Sequence, residues 1–148
     1  MTVETYLQSE EAVRDVAALL ARGPHERGEV PTESPYAWWG FDNFAPWTLA
    51  RVGFRENPES SAFGVYFRAE DDRFIVSDLG EAVRALRLRT GRMNLPRGAT
   101  WEAAAACGAM LDDGVLTMPG HVTAADLPRA IVRVMLAAHR VAALKVPC

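Results

Sequence analysis

The chain has 148 residues, of which 49% are hydrophobic and 24% are charged, and its formal net charge is −3 at pH 7. This length suits a single domain with a sizeable core, and this composition excludes wholesale disorder. The small net charge points to no particular partner. Only Lys145 among the 16 basic residues is a lysine, so we treat the abundance of arginine as compositional background.

The N-terminus and the cysteines favour a reduced, cytoplasmic setting. Residues 1–13 contain acids where a secretory signal needs a basic region followed by an apolar one. No segment reaches the roughly 18 continuous apolar residues of a membrane-spanning helix, so we expect no membrane association. Cys107 and Cys148 have neither metal-ligand spacing nor the pattern of a disulfide framework.

Residues 1–44 are predicted to form an N-terminal helix followed by an aromatic loop. Ser9 precedes two acids and an apolar pattern at helical spacing, which predicts a helix that ends at residues 23–24. Residues 24–45 then form a long connection, and the aromatic stretch 36–47 includes Trp38 and Trp39. Two interpretations stay open. The aromatic side chains plug one end of the core, which we favour because they bury large areas, or they form a binding surface.

Residues 45–144 are predicted to form an α+β core. Residues 46–55 have the pattern of a strand, and 56–61 have the composition of a turn. Within 62–91, apolar and other residues alternate along a strand, three acids interrupt the pattern, and a second β-branched and aromatic stretch follows. This order predicts an antiparallel hairpin followed directly by a helix.

The junction between the second strand and that helix is the most specific feature of the chain. Ser77 or Asp78 is placed to accept a hydrogen bond from a free amide of the first turn, so we assign both as structural caps. Leu79, at the start of the helix, is predicted to face the core, and Gly91 to end the helix. Cap loss at Ser77 or Asp78 should cost about 1 kcal/mol.

A strand of sequence GVYFR, an acidic turn and the stretch FIVSDLGEAV together resemble an uncharacterised domain family of bacteria and phages. The pattern is a strand, then Ser or Thr, Asp, any residue and Gly, then a helix, and the resemblance extends loosely over residues 45–144. It implies an arrangement of elements and a mobile-element context. It transfers no catalytic residue, because that family has no established activity.

The C-terminal third is predicted to contain a short helix, a hairpin and a long helix. Thr100 is placed to cap a helix over 101–106, and Gly114 supplies the left-handed position of a hairpin over 109–118. Thr123 and Asp126 resemble a capping box, which places the start of the last helix at about 123–125. Leu127, Ile131, Val134, Ala138 and Val141 form one apolar stripe along this helix, whereas Arg129, Arg133 and Arg140 lie off the stripe and are expected to be solvated. The fold predicted for residues 1–148 is therefore a single α+β domain with an antiparallel sheet of three to five strands.

No combination of residues predicts a catalytic centre, a metal site or a cofactor. The acids at 70–72 fall at a hairpin tip, and Asp78 and Glu81 are explained by the helix start, so a metal-dependent nuclease is the least favoured alternative. The three histidines have no metal-ligand spacing. Cys107 lies near a predicted helix C-terminus, where the dipole disfavours a thiolate.

One charge feature stands out from the background. Between Ala82 and Trp101 the chain has arginines and no acid, and the arginines are Arg84, Arg87, Arg89, Arg92 and Arg97. Such a run is typical of a solvated face, but arginine side chains also bind carboxylates and phosphates bidentately.

We therefore predict a small intracellular protein-interaction module, of a mobile element or defence system, that uses Arg84, Arg87, Arg92 and the two tryptophans of the aromatic stretch. Nucleic-acid binding through residues 84–97 is the first alternative. The partner's identity and the oligomeric state stay open.

Overall fold

The structure, a computed structural model, describes residues 2–22, 36–44, 46–54 and 63–145. In these ranges the chain forms helices and strands of an α+β domain, as predicted. The helices are α1 (Val3–Leu7), α2 (Glu10–Arg22), α3 (Glu81–Thr90), α4 (Arg97–Ala105) and α5 (Leu127–Ala142). The strands are β1 (Tyr36–Phe44), β2 (Trp47–Phe54), β3 (Gly64–Glu70), β4 (Arg73–Ser77), β5 (Met110–Asp112), β6 (Val115–Thr117) and β7 (Val122–Thr123). The predicted turn at 56–61 and the connection at 24–35 lie outside the described residues.

The strands form one antiparallel sheet in the order β1, β2, β3, β4, β6, β5. The outer edge of β4 is shared, because β6 pairs with its Ser77 end and β7 with its Arg73 end. The sheet has two strands more than the upper limit that we predicted. Strand β1 lies in the predicted loop, and β7 lies where the last helix was expected to begin.

The core lies between one face of the sheet and the helices. Phe63, which precedes β3, and Val65 and Phe67 of β3 belong to it, in agreement with the period-two pattern predicted for this strand. Helix α5 is its centre, since it packs against all four other helices and strands β3, β4, β6 and β7. The whole predicted apolar stripe of α5 is buried: Leu127, Ile131, Val134, Ala138 and Val141.

The prediction of an aromatic loop is wrong for residues 36–44, which form strand β1. Trp38 is fully buried and Trp39 is only 8% exposed. Adjacent residues of a strand point to opposite faces of the sheet, so both faces of β1 are covered at this point. For this reason the sequence of β1 does not alternate between apolar and polar residues here. Of the two interpretations left open, burial therefore holds for these two tryptophans. The side chains of Phe41 and Phe44 lie outside the described residues.

Two helix starts differ from the predictions because of nearby prolines. Helix α4 begins at Arg97, with Pro96 as its N-cap, so Thr100 is not the cap. Its buried hydroxyl donates instead to the Pro96 carbonyl at 3.0 Å, within the first turn. Helix α5 begins at Leu127 rather than at 123–125, and Pro128 then sits in the first turn, where a missing N–H costs no hydrogen bond.

The N-terminus contains a short helix, α1, that the sequence analysis did not predict. The Thr2 hydroxyl accepts a hydrogen bond from the Thr5 amide at 3.1 Å and caps this helix. Ser9 lies before α2, as predicted, and its hydroxyl accepts from the Ala12 amide at 3.4 Å. Tyr6 of α1 then reaches the sheet, because its hydroxyl accepts from Trp38 Nε1 at 3.0 Å.

Candidate functional site

The junction from β4 into α3 connects three parts of the fold through the fully buried carboxylate of Asp78. One oxygen accepts from the amide of Gly80 at 2.8 Å and from that of Leu116 at 3.0 Å, and the other accepts from Ala82 at 3.0 Å. Ala82 is the second residue of α3, and Leu116 is the central residue of β6. Asp78 therefore caps the helix and also fastens the β5–β6 hairpin to it.

Ser77 completes this connection. Its hydroxyl donates to the Leu116 carbonyl at 2.9 Å and accepts from the Leu79 amide at 3.0 Å. Leu79 and Gly80 both have left-handed backbones, with φ of 52° and 87°. Leu79 consequently precedes α3 and is partly exposed, which corrects the prediction that its side chain belongs to the buried stripe of the helix.

Burial raises the pKa of the Asp78 carboxyl, and the three backbone N–H groups oppose this by favouring the charged form. A perturbed pKa is often a sign of a functional group. Here both oxygens are occupied by backbone donors and the residue has no exposed surface. A substrate has no access to this carboxylate, so we interpret it as structural.

A surface cleft of about 720 Å³ lies next to this junction. Helices α3 and α4, the loop between them and the β5–β6 hairpin form its walls. This cleft is called the α3–α4 cleft below. Its lining residues are Val83, Arg87, Met93, Asn94, Leu95, Arg97, Thr100, Trp101, Leu111, Asp112, Asp113 and Gly114.

The α3–α4 cleft combines large exposed apolar side chains with charges of both signs. Trp101 is 56% exposed and Met93 is 76% exposed, which is unusual for residues of this size. The helices contribute Arg87 and Arg97. The hairpin contributes two acids, Asp112 and Asp113. A ligand that covers the cleft would therefore bury an aromatic ring beside arginine side chains.

The arginines predicted for binding separate into two groups in the structure. Arg87 and Arg97 line the cleft, and Arg87 Nε donates to the Met93 carbonyl at 3.3 Å. Arg84 and Arg92 are exposed but do not line it. Arg89 has a structural role, because its guanidinium donates to the carbonyls of Ala142 and Leu144 at the C-terminal end of α5.

Trp38 and Trp39, the other residues predicted for binding, are not accessible to a partner. Trp38 donates to the Tyr6 hydroxyl, which in turn donates a short hydrogen bond to Asp15. Burial and the Asp15 carboxylate raise the Tyr6 pKa far above its ordinary value, so the hydroxyl keeps its proton. Among the described side chains, the exposed large aromatic residue is Trp101, which was placed only in the short helix predicted over 101–106.

The acids considered for a metal site do not converge. Residues 70–72 lie at the tip of the β3–β4 hairpin, whereas Glu81 accepts from the Gly64 amide and from the Tyr66 hydroxyl, each at 2.7 Å. Across the described part of the chain, no group of three or more His, Cys, Asp and Glu side chains is arranged to hold a metal ion. Likewise, none of the described helices combines the length and apolar character needed to cross a membrane.

No protein-family model, no curated protein and no solved structure matches this chain. The resemblance of residues 45–144 to a bacterial and phage domain family therefore stays a prediction.

Proposed function

We propose that this protein is a small, non-catalytic interaction module that binds an acidic, amphipathic segment of another protein in the α3–α4 cleft. The observation that carries this proposal is the exposure of Trp101 and Met93 at a concave surface that also contains Arg87 and Arg97. A cytoplasmic location and a bacterial or phage context belong to the same proposal.

The composition of the cleft supports a protein ligand. Tryptophan, methionine and arginine are enriched at protein interfaces, and tryptophan and arginine dominate their energetic hot spots. The wall residues Val83, Leu95 and Leu111 are apolar and less exposed than the rim, so an inserted apolar side chain would be well desolvated. Carboxylates of the ligand would pair with the arginines, which hold planar anions bidentately.

The two aspartates of the hairpin favour a peptide over nucleic acid. Asp112 and Asp113 line the same cleft as the two arginines and would repel a phosphate backbone that followed it. A peptide tolerates this arrangement, because it can place a basic or polar side chain beside the hairpin. Nucleic-acid binding is retained as the alternative, since Trp101 offers a face for base stacking beside arginines.

The test is a selection of peptides from a random display library on the immobilised protein. Enriched peptides are synthesised with a fluorophore and titrated against wild type, Trp101→Ala and Arg87→Gln. Leu88→Ala and Arg84→Gln are matched controls, because both residues are exposed on α3 and neither lines the cleft. Labelled single-stranded and duplex DNA are titrated in parallel at two salt concentrations.

We expect the selected peptides to be rich in Asp, Glu and large apolar residues. Trp101→Ala should weaken their binding by about 30-fold, because loss of a hot-spot side chain costs about 2 kcal/mol or more. The controls should bind as wild type does. Peptides that bind Trp101→Ala and Arg87→Gln with undiminished affinity would refute the proposal. DNA binding that is strong at high salt and is lost in Trp101→Ala would replace it with the alternative.

A further inference from the structure

Three arginines of α5 lie on one face of the helix, where the sequence analysis expected only solvated side chains. At 100° per residue, positions 129, 133 and 140 fall within about 40° of one another. Together with the start of α2 and the end of α4 they line a second cleft, of about 460 Å³. This cleft is called the α5 arginine cleft. Within the described residues it shares no lining residue with the α3–α4 cleft.

The two outer arginines are held in place by carboxylates. Arg129 donates two hydrogen bonds to Glu10, each of 2.9 Å, so both Glu10 oxygens are occupied. Arg140 Nε donates to Glu4 at 2.8 Å, and its Nη1 lies 3.4 Å from the sulfur of Cys107. The outer guanidinium groups are therefore neutralised and fixed in orientation.

Among the described residues the middle arginine, Arg133, has no ion-pair partner, although its charge adds to that of Arg129 in lowering the pKa of the Glu10 carboxyl. None of the described carboxylates lies within ion-pair distance of its guanidinium. A Cβ built on Gly108 would lie 3.8 Å from Arg133 Nη1, which places the guanidinium over the Gly108 backbone in the α5 arginine cleft. Burial raises the pKa of the neighbouring Cys107 thiol, so that group is neutral at pH 7 and does not balance the charge.

We propose that the α5 arginine cleft binds a small organic anion. Its carboxylate or phosphate group pairs with Arg133, and its apolar part contacts Val13, Val132 and Leu136, which line the same cleft. The volume falls in the range of small-molecule sites, and the lining has the usual combination of apolar walls and a few fixed polar groups. Three arginines and one carboxylate, that of Glu10, line the cleft, so its lining is positively charged. This site is independent of the proposed peptide cleft.

The test uses hexanoate and hexyl phosphate as probes, with the neutral hexanol as the control ligand. Binding is followed by the NMR amide shift of Gly108 and by calorimetry, for wild type, Arg133→Gln, Arg133→Lys and the control Arg84→Gln. Arg84 is exposed on α3 and does not line this cleft. Thermal melting of each variant checks that the fold is intact.

We expect both anions to shift the Gly108 signal saturably, and the tighter of the two identifies the head group. Arg133→Gln should weaken binding about tenfold or more, because a hydrogen bond to a charged group is lost. Arg133→Lys should retain part of the affinity, since it keeps the charge but not the fork. The proposal is overturned if neither anion saturates the signal, if hexanol binds as tightly, or if Arg133→Gln binds like Arg84→Gln.

Discussion

Replacing Asp78 with alanine should destabilise the protein far more than loss of an ordinary helix cap. An N-cap substitution costs about 1 kcal/mol, which is what the sequence alone suggests. The structure shows that the carboxylate serves three backbone donors, and the hydrogen bonds to Ala82 and Leu116 are buried. Each buried donor left without a partner costs roughly 1–3 kcal/mol, so we expect a total of about 3–5 kcal/mol.

Urea unfolding followed by circular dichroism measures this effect. With a denaturant dependence of about 2 kcal/mol/M, the midpoint of Asp78→Ala should fall by about 2 M. Asp72→Ala is the matched control, because Asp72 is exposed in the β3–β4 turn, and its effect should stay within about 0.5 kcal/mol. A shift of less than about 0.5 M for Asp78→Ala would contradict the assigned network.

The ionisation of Asp78 adds a pH dependence that Asp78→Asn isolates. Burial raises the pKa of the folded state above the unfolded value of about 3.9. The folded protein therefore retains this proton over a pH range in which the unfolded chain has lost it, and stability falls as the pH rises through that range. The difference in the free energy of unfolding between wild type and Asp78→Asn should therefore become smaller as the pH increases from about 4. If this difference instead becomes larger, the backbone hydrogen bonds lower the pKa of the carboxyl by more than burial raises it.

Three further predictions concern other parts of the fold. Burial lowers the pKa of His139, so stability should decline as the pH falls below about 6.5. His139→Leu should flatten that decline in urea titrations, and a decline of unchanged slope in this variant would contradict the assignment. Gly80→Ala should destabilise the protein by about 1 kcal/mol, because the φ of Gly80 is +87°. Gly98→Ala should instead stabilise the protein by about 0.5–1 kcal/mol, because Gly98 lies in helix α4 with open space around it. Equal melting temperatures of the two variants would contradict both assignments. Burial and Glu81 raise the pKa of Tyr66 to about 12, so ultraviolet titration of Tyr66→Phe should lose a late-ionising tyrosine, and an unchanged titration curve would disprove it.

The parts of the fold that the sequence predicted depend on local chemistry. Alternation along β3, the left-handed Gly91 at the end of α3 and the Asp113–Gly114 turn are each set by a few neighbouring residues. The stripe of α5 is also local, because its spacing follows from the helix itself. These elements lie where expected because tertiary contacts reinforce the local preference.

The elements that the sequence did not predict are those set by tertiary contacts. Strand β1 is covered at both Trp38 and Trp39, so it lacks alternation. The two residues of β7 form a strand only because the Arg73 end of β4 offers an unpaired edge. The burial of Asp78 could not be predicted from the sequence either, because the Leu116 amide, one of the three hydrogen-bond donors to its carboxylate, lies 38 positions away.

The candidate site was only partly predictable, because exposure depends on what packs nearby. Arg87 was predicted for binding and lines the α3–α4 cleft. Trp101 was missed, since nothing in a short alanine-rich helix indicates whether its tryptophan points into the core or into solvent. The three arginines of α5 were predicted to form a solvent-exposed face. Their cluster could not be recognised from the sequence, because the carboxylates that pair with them lie in α1 and α2, more than a hundred positions earlier.

The buried Asp78 network and the α3–α4 cleft are parts of one arrangement. The cleft has one wall from α3 and another from the β5–β6 hairpin. That hairpin pairs with β4 at a single residue pair, Ser77 with Thr117. Asp78 joins the two walls directly, because the same carboxylate accepts from Ala82 in α3 and from Leu116 in β6. The distance between the walls is therefore set by a buried group that no ligand touches, so Asp78 positions the cleft without being one of its binding residues.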